Sequence, residues 1–361
     1  MTEKKTILVL FGGASPEHEV SCSSGASLIE AIDTSKYNVL SIGITKDGSW
    51  ILTKASPEEI KDSTSWLEHK DNCKAVLSPD RRDHGLLIFE ENSVRTEKID
   101  LIFPIIHGET GEDGELQGLF EIADIPYVGC GVCASACSMD KSVTMNFARL
   151  CNVRCPEYFA CSCEDFLAAP EVTAKKIAEH FNSKLGYVYP LFVKPASTGS
   201  SVGISKVNND EEMMVALKLA AQYPGNLIIE ENIEGKELKV AVLGTAEKAI
   251  VGELCEIEVN GIFNDFTMKY KSSGSHKKIP ALVSEEVAKD LKDSALRIYN
   301  SLGCKGFARV DFFVKADDSI IFNEINTVPG FTPASIYSLM FDAAGIEYKK
   351  IVQELISMAE K

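Results

Sequence analysis

Apolar runs of strand length alternate with helical patterns along most of the chain, and this constrains the fold more than any single motif. Strands interleaved with helices pack as α/β layers. Ile7–Phe11, Asn38–Ile44 and Lys98–Ile106 read as strands, with helices expected over Ser24–Ile32 and Glu115–Ala123. Tyr127-Val-Gly closes this unit and places a domain boundary near residue 130. A helical pattern runs from Ser138 to Cys151, and Pro190–Lys194, Val202–Val207 and Leu227–Glu231 are further strands. Asp210 is expected to cap a helix over Glu211–Gln222. The last third holds strands at Glu237–Leu243, Ala249–Glu256, Gly306–Val314 and Ser319–Ile325, and an amphipathic helix over Glu285–Leu302. Two helices follow from Ile336 onward. Polar Lys271–Lys278 reads as a loop able to serve as a lid.

The charge balance narrows the function. With 37 Lys+Arg against 53 Asp+Glu the net charge is −16, and the pI is near 4.9. Binding to nucleic acid or to an anionic membrane needs a basic footprint, so neither partner is expected. A few local lysines can still admit an anionic ligand. The opening apolar run is too short for a signal sequence and no stretch approaches a membrane span, so a cytoplasmic protein is expected. Eleven cysteines, an odd number, argue against a disulfide framework. Cys130, Cys133 and Cys137 have the look of a metal or iron–sulfur run, but small buried thiols account for them more simply.

Two strands carry the most chemistry. Alternation puts Arg309 and Asp311 on one face of the first, and Glu324 and Asn326 on one face of the second. A two-residue hairpin turn at Asp317-Asp318 sets Asp311 opposite Glu324 and Arg309 opposite Asn326. Two carboxylates and an amide oxygen on one face suit Mg²⁺, which shares its remaining positions with phosphate and water. The alternative is an exposed hairpin face with a paired arginine. The loop Lys194-Pro-Ala-Ser-Thr-Gly-Ser-Ser-Val-Gly203 offers backbone N–H groups and one cation to a phosphate, without the order of a Walker A loop. Glu230 and Glu231, ending an apolar strand, offer acceptors to an adenine or ribose. Together these sets describe ATP between two sheets, with Mg²⁺ on its phosphates.

In order along the chain, Gly12-Gly-Ala-Ser-Pro-Glu17-His-Glu-Val-Ser21, His107-Gly-x-x-Gly-Glu-Asp-Gly114, Met139-Asp-Lys141, Lys194-Pro, Arg309-Val-Asp311 and Asn323-Glu-Ile-Asn326-Thr-Val-Pro-Gly330 resemble the D-alanine–D-alanine ligase family. The resemblance implies a three-domain ATP-grasp fold with an N-terminal parallel-sheet domain. The expected bounds are 1–129 for substrate binding, 130–229 for the central subdomain and 230–361 for the C-terminal domain with lid and metal face. It implies nucleotide contacts from Lys141, Lys194, Ser201, Glu230, Glu231, Ile233, Glu237, Phe263, Lys269 and Asn323. Two Mg²⁺, replaceable by Mn²⁺, would sit on Asp311, Glu324 and Asn326. One D-alanine carboxylate would attack the γ-phosphate, and a second D-alanine amine would displace phosphate from the acyl phosphate. Arg309 and the Gly330 N–H would stabilise the oxyanion, while Glu17, Ser200 and Tyr270 would orient the first ammonium. His107 would meet the first substrate, and Ser335 and Ile336 the second. A homodimer serving peptidoglycan precursor synthesis is implied.

The stretch from Gly252 to Phe266 resembles the vancomycin-resistance branch, which makes D-Ala-D-Ser or D-Ala-D-lactate. Lys269-Tyr270 in the lid favours a dipeptide product. Ile336 stands where D-Ser-selective relatives tend to carry arginine, which favours a methyl group. D-Ala-D-Ala is the expected product and D-Ala-D-Ser the alternative.

Overall fold

The computed structural model describes residues 4–199, 203–259 and 275–360. Three sheets follow one another along the chain. The first contains β1 (Lys5–Gly12), β2 (Tyr37–Ile44), β3 (Trp50–Thr53), β4 (Cys73–Leu77), β5 (Gly85–Phe89), β6 (Val94–Lys98) and β7 (Leu101–Pro104), in the order β6-β5-β4-β3-β2-β1-β7. Only the β1 pairings with β2 and β7 are parallel, and the remaining pairs are antiparallel hairpins. The expected N-terminal parallel sheet is therefore parallel at its core and antiparallel along one arm. Ile7, Val9 and Phe11 of β1 are fully buried on one face and Leu8 and Leu10 on the other, as a central strand covered on both sides requires.

The second sheet is antiparallel, in the order β10-β9-β11-β8, from β8 (Tyr158–Ser162), β9 (Leu191–Pro195), β10 (Ser205–Val207) and β11 (Asn226–Glu231). The third runs β15-β14-β12-β16-β17, from β12 (Lys236–Gly244), β14 (Cys255–Val259), β15 (Ser275–Lys278), β16 (Gly306–Val314) and β17 (Ile320–Asn326), with β13 (Ile250–Val251) beside β12. Leu238, Val240 and Val242 of β12 and Ala308, Val310 and Phe312 of β16 pack under the helices Lys141–Leu150 and Glu285–Ser301. Period 2 then turns Glu237, Lys239, Arg309 and Asp311 to the opposite face.

Several expectations change. The first helix begins at His18, not Ser24, and the strand expected over Lys98–Ile106 divides into the end of β6 and β7. Asn209 caps the helix Asp210–Ala220, its side chain accepting from Glu212 N–H at 2.9 Å, so Asp210 is not the cap. Ser275–Lys278 of the expected loop is a strand paired with β14, and residues 271–274 lie outside the described residues.

The hairpin joining β16 and β17 is the most consequential difference. Its loop spans Lys315 to Ser319, closed by Lys315 N–H on Ser319 O at 3.0 Å, and Asp318 turns with φ +63°. This five-residue loop shifts the register by one from a two-residue turn. A bulge then shifts it back: Phe312 pairs with Phe322 but Asp311 pairs with Glu324, leaving Asn323 extra. Asp311 thus faces Glu324 and Arg309 faces Asn326 as expected, by a different route. The bulge lets Phe322 and Ile325, three apart, both enter the helical core, while Glu324 and Asn326 face the other way.

The first and third sheets share one apolar core. Ile7, Phe11, Phe103, Phe307, Phe331 and Tyr337 belong to it, and Phe307 lies 5.3 Å from Phe331 and 6.4 Å from Phe103 between ring centroids. No helix of the described residues is long and apolar enough to cross a membrane.

Candidate active site

At the C-terminal end of β1 the chain turns at Gly12, where φ is +89° and a Cβ would stand 2.2 Å from Ile44 O. Only glycine fits there. The turn delivers Glu17 to the N-terminus of the helix His18–Ala31, buried at the mouth of a cleft of about 900 Å³. Ligands of open α/β sheets gather in this crevice beyond the carboxyl ends of parallel strands. The opposite wall is the polar face of the third sheet. Glu17, Lys141, Glu237, Arg309, Glu324, Asn326, Gly330, Ser335 and Ile336 all line the cleft.

That polar face is a charged lattice. Asp311 is 1% exposed and accepts Arg309 Nε on Oδ1 at 2.8 Å and Arg309 Nη2 on Oδ2 at 2.9 Å. Lys239 Nζ donates to the same Oδ2 at 2.7 Å and to Glu237 Oε1 at 2.7 Å. Burial alone would raise the Asp311 carboxyl, but Arg309 and Lys239 outweigh it and hold it down at about 2. The guanidinium is therefore fixed by a two-pronged pair rather than free to swing.

Lys141 opens the helix Lys141–Leu150, which Asp140 caps. Its backbone N–H donates to Ala196 O at 3.0 Å and its ammonium to Thr198 O at 3.0 Å, with Glu324 Oε2 3.8 Å away. One lysine therefore pins the phosphate-type loop against the carboxylate face. Lys194 Nζ rests on Glu230 Oε2 at 2.5 Å, a buried pair outside the cleft lining. Glu230 Oε1 has no hydrogen-bond partner among the described residues, and neither does Asn326 Oδ1. An orphaned buried acceptor beside a buried lysine fits an adenine amino group, and an orphaned amide oxygen beside Glu324 fits a hard cation. The donor set thus fits ATP and Mg²⁺.

Other expected residues fall elsewhere. Glu231 accepts Glu157 N–H at 2.9 Å at the β8 edge, Ile233 sits half-buried in the β11–β12 loop, and Asn323 is the bulged residue. Ser200, Ser201, Phe263, Lys269 and Tyr270 lie outside the described residues, as does the expected Glu17–Ser200–Tyr270 link. Ser335 Oγ accepts Thr332 N–H at 2.9 Å.

His107 is buried behind the cleft wall rather than lining it. Its Nδ1 meets Val328 O at 2.7 Å and its Nε2 meets Ser24 Oγ at 3.0 Å. Ser24 Oγ also accepts Phe331 N–H at 3.2 Å. Glu112, which sequence reasoning missed as a site residue, accepts Gly108 N–H at 2.9 Å and Val328 N–H at 3.1 Å. Three side chains from the first unit therefore grip the 328–331 loop that carries Gly330. Burial, reinforced by the charge of Glu17, pushes the Glu112 carboxyl up to about 8, and burial holds His107 below its ordinary value. Lys239 and Lys277, also missed, line the cleft from β12 and β15. The alternation Glu237-Leu-Lys239-Val carried the signal for Lys239.

The thiol run does not form a metal centre. Cys130 Sγ donates to Lys305 O at 3.5 Å, Cys133 is exposed, and its sulfur lies 4.0 Å from that of Cys137. Among the described residues no group of three or more His, Cys, Asp or Glu side chains is arranged to hold a metal ion.

A mixed α/β chain with this crevice and charged sheet face has the architecture of an ATP-grasp ligase. Residues 6–130 match the family model for the D-ala D-ala ligase N-terminus, and residues 155–357 that for the C-terminus. The chain is 40% identical to the D-alanine–D-alanine ligase of Caldicellulosiruptor bescii, over 99% of this chain and 96% of that protein. It is 39% identical to the vancomycin B-type resistance protein VanB of Enterococcus faecalis, over 99% and 98%. Among solved structures, the VanG D-Ala:D-Ser ligase of Enterococcus faecalis superposes with a TM-score of 0.87 at 37% identity, covering 99% of this chain and all of that one. The chain belongs to the D-alanine–D-alanine ligase family and is an enzyme of the ligase class.

Proposed function

We propose that this chain joins two D-alanines into D-alanyl-D-alanine at the expense of ATP, through an acyl phosphate, for peptidoglycan precursor synthesis. The observation that carries this reading is one cleft lined both by Arg309, held bidentately by Asp311, and by Gly330 on its gripped loop. Fixed donors aimed at a developing oxyanion are the largest single contribution in acyl transfer. In this reading Lys141, Lys194, Glu230, Ile233 and Glu237 bind ATP, and Glu17 orients the ammonium of the first D-alanine. His107 acts from behind the wall, keeping the Gly330 loop in register. Bound Mg²⁺ on Glu324 and Asn326 would supply charge neutralisation to the phosphates. The chain would fold as three domains, 1–129, 130–229 and 230–361.

Ile336, apolar and next to Ser335, favours a methyl group at the second substrate. The likeness to the VanG D-Ala:D-Ser ligase supports D-serine as the alternative second substrate. A single methyl or hydroxyl in an apolar pocket discriminates by only about 1–3 kcal/mol. D-Alanine, D-serine and D-lactate offered together with ATP and Mg²⁺, with products resolved by mass, decide between them. Dominant D-Ala-D-Ala supports the proposal, and dominant D-Ala-D-Ser replaces it with the alternative.

A further inference from the structure

The metal face holds a cation of its own. Across the third sheet Lys239 pairs with Asp311, and Asp311 with Glu324, so an ammonium and two carboxylates stand in one row. Lys239 is 6% exposed and is held from two sides, by Glu237 Oε1 at 2.7 Å and by Asp311 Oδ2 at 2.7 Å. Leu238 and Val240 on either side of it are buried in the helical core, so the strand cannot turn Lys239 away from this face.

Asp311 is committed as a result. Its Oδ1 accepts Arg309 Nε, and its Oδ2 accepts both Arg309 Nη2 and Lys239 Nζ. At 1% exposure it also lacks the solvent access through which Mg²⁺ keeps its waters. A divalent ion on this carboxylate would meet two fixed positive groups in a low-dielectric site, where like-charge repulsion is strong. Glu324 has a cation beside it as well, Lys141 Nζ, but at 3.8 Å. Asn326 Oδ1 is buried with no hydrogen-bond partner among the described residues, and Glu324, its neighbour on the same strand face, lines the cleft.

We propose that Lys239 is a resident cation of the metal face, standing on Asp311 in place of a second divalent ion. With nucleotide bound, this chain then takes one divalent ion, on Glu324 and Asn326, rather than two. The inference rests on the reading of this face as the nucleotide–metal site, and its consequence is a countable one. The ammonium supplies one fixed positive charge whose presence does not depend on the metal concentration.

The test counts ions directly. The full chain is mixed with an equimolar non-hydrolysable ATP analogue and titrated with Mn²⁺, and free Mn²⁺ is read by electron paramagnetic resonance. One protein-dependent Mn²⁺ per chain is expected for the wild type, two for Lys239→Met, and one for Lys239→Arg, which keeps the charge. Glu324→Gln should weaken the single ion at least tenfold. Two ions in the wild type overturn the proposal, as does a count of one in Lys239→Met. Should Lys239→Met fail to fold, as judged by circular dichroism, Lys239→Gln takes its place. Absence of any nucleotide-dependent Mn²⁺ in every form removes the metal face itself, a failure distinct from a wrong count.

Discussion

At the scale of single residues, the site is organised by what holds each group still. Arg309 is held in one orientation because Asp311 fixes both of its prongs. Arg309→Lys keeps the charge but loses the fork. We expect kcat to fall about 10²-fold or more with the KM for ATP little changed, the signature of a donor used in the transition state. Steady-state kinetics check this, and an unchanged kcat would remove Arg309 from the oxyanion role. Glu112 makes a pH prediction. Its carboxyl rises from 4.5 to about 8 on folding, because burial and Glu17 disfavour its charge. A raised acid contributes stability below its unfolded pKa and loses it as pH rises through the folded one. The wild type should therefore lose stability relative to Glu112→Gln between about pH 4.5 and pH 8, by thermal denaturation across that range. A constant difference would contradict it. Glu17, Arg309 and Glu324 were legible in the sequence because their motifs are short and contiguous. Glu112 was not, since its importance comes from Val328, 216 residues away, and sequence order gives no measure of that distance.

At the scale of elements, the β16–β17 hairpin shows how a sequence rule succeeds through two departures that cancel. The Lys315–Ser319 loop moves the pairing by one, and the extra Asn323 moves it back before the carboxylates are reached. Both Phe322 and Ile325 reach the core only because of that bulge. Deleting Asn323 brings Phe322 and Ile325 two apart, so plain alternation then keeps both in the core and Glu324 on the cleft face. The deletion should therefore cost about 1 kcal/mol or less, against about 3–5 kcal/mol for Phe322→Ala. Urea denaturation measures it, and a deletion as costly as Phe322→Ala would contradict this register. Strands with unbroken apolar runs, β1 and β11, or with apolar residues alternating with charged ones, β12 and β16, were legible because burial on both faces or on one writes a plain pattern. The arm from β3 to β6 was not, since its short strands alternate weakly and its edge strand β6 is largely exposed.

At the scale of the molecule, the first and third sheets are one body because Phe103, Phe307, Phe331 and Tyr337 close a single core between them. Phe307→Ala should cost about 3–5 kcal/mol and lower both units together. Calorimetry of that variant should show them unfolding in one transition, and two separated transitions would contradict a shared core. This fusion lets His107, Ser24 and Glu112 of the first unit hold the 328–331 loop by direct hydrogen bonds. The α/β class and the motif order were legible in the sequence, whereas the shared core needed three dimensions. The central claim, D-alanine-dependent ligation at this cleft, is tested most directly by incubating the chain with ATP, Mg²⁺ and D-alanine, then following ADP release and dipeptide mass together. The account predicts equal amounts of ADP and D-alanyl-D-alanine from the wild type and neither from Glu324→Ala. ADP release indifferent to D-alanine, or dipeptide persisting in Glu324→Ala, would contradict it.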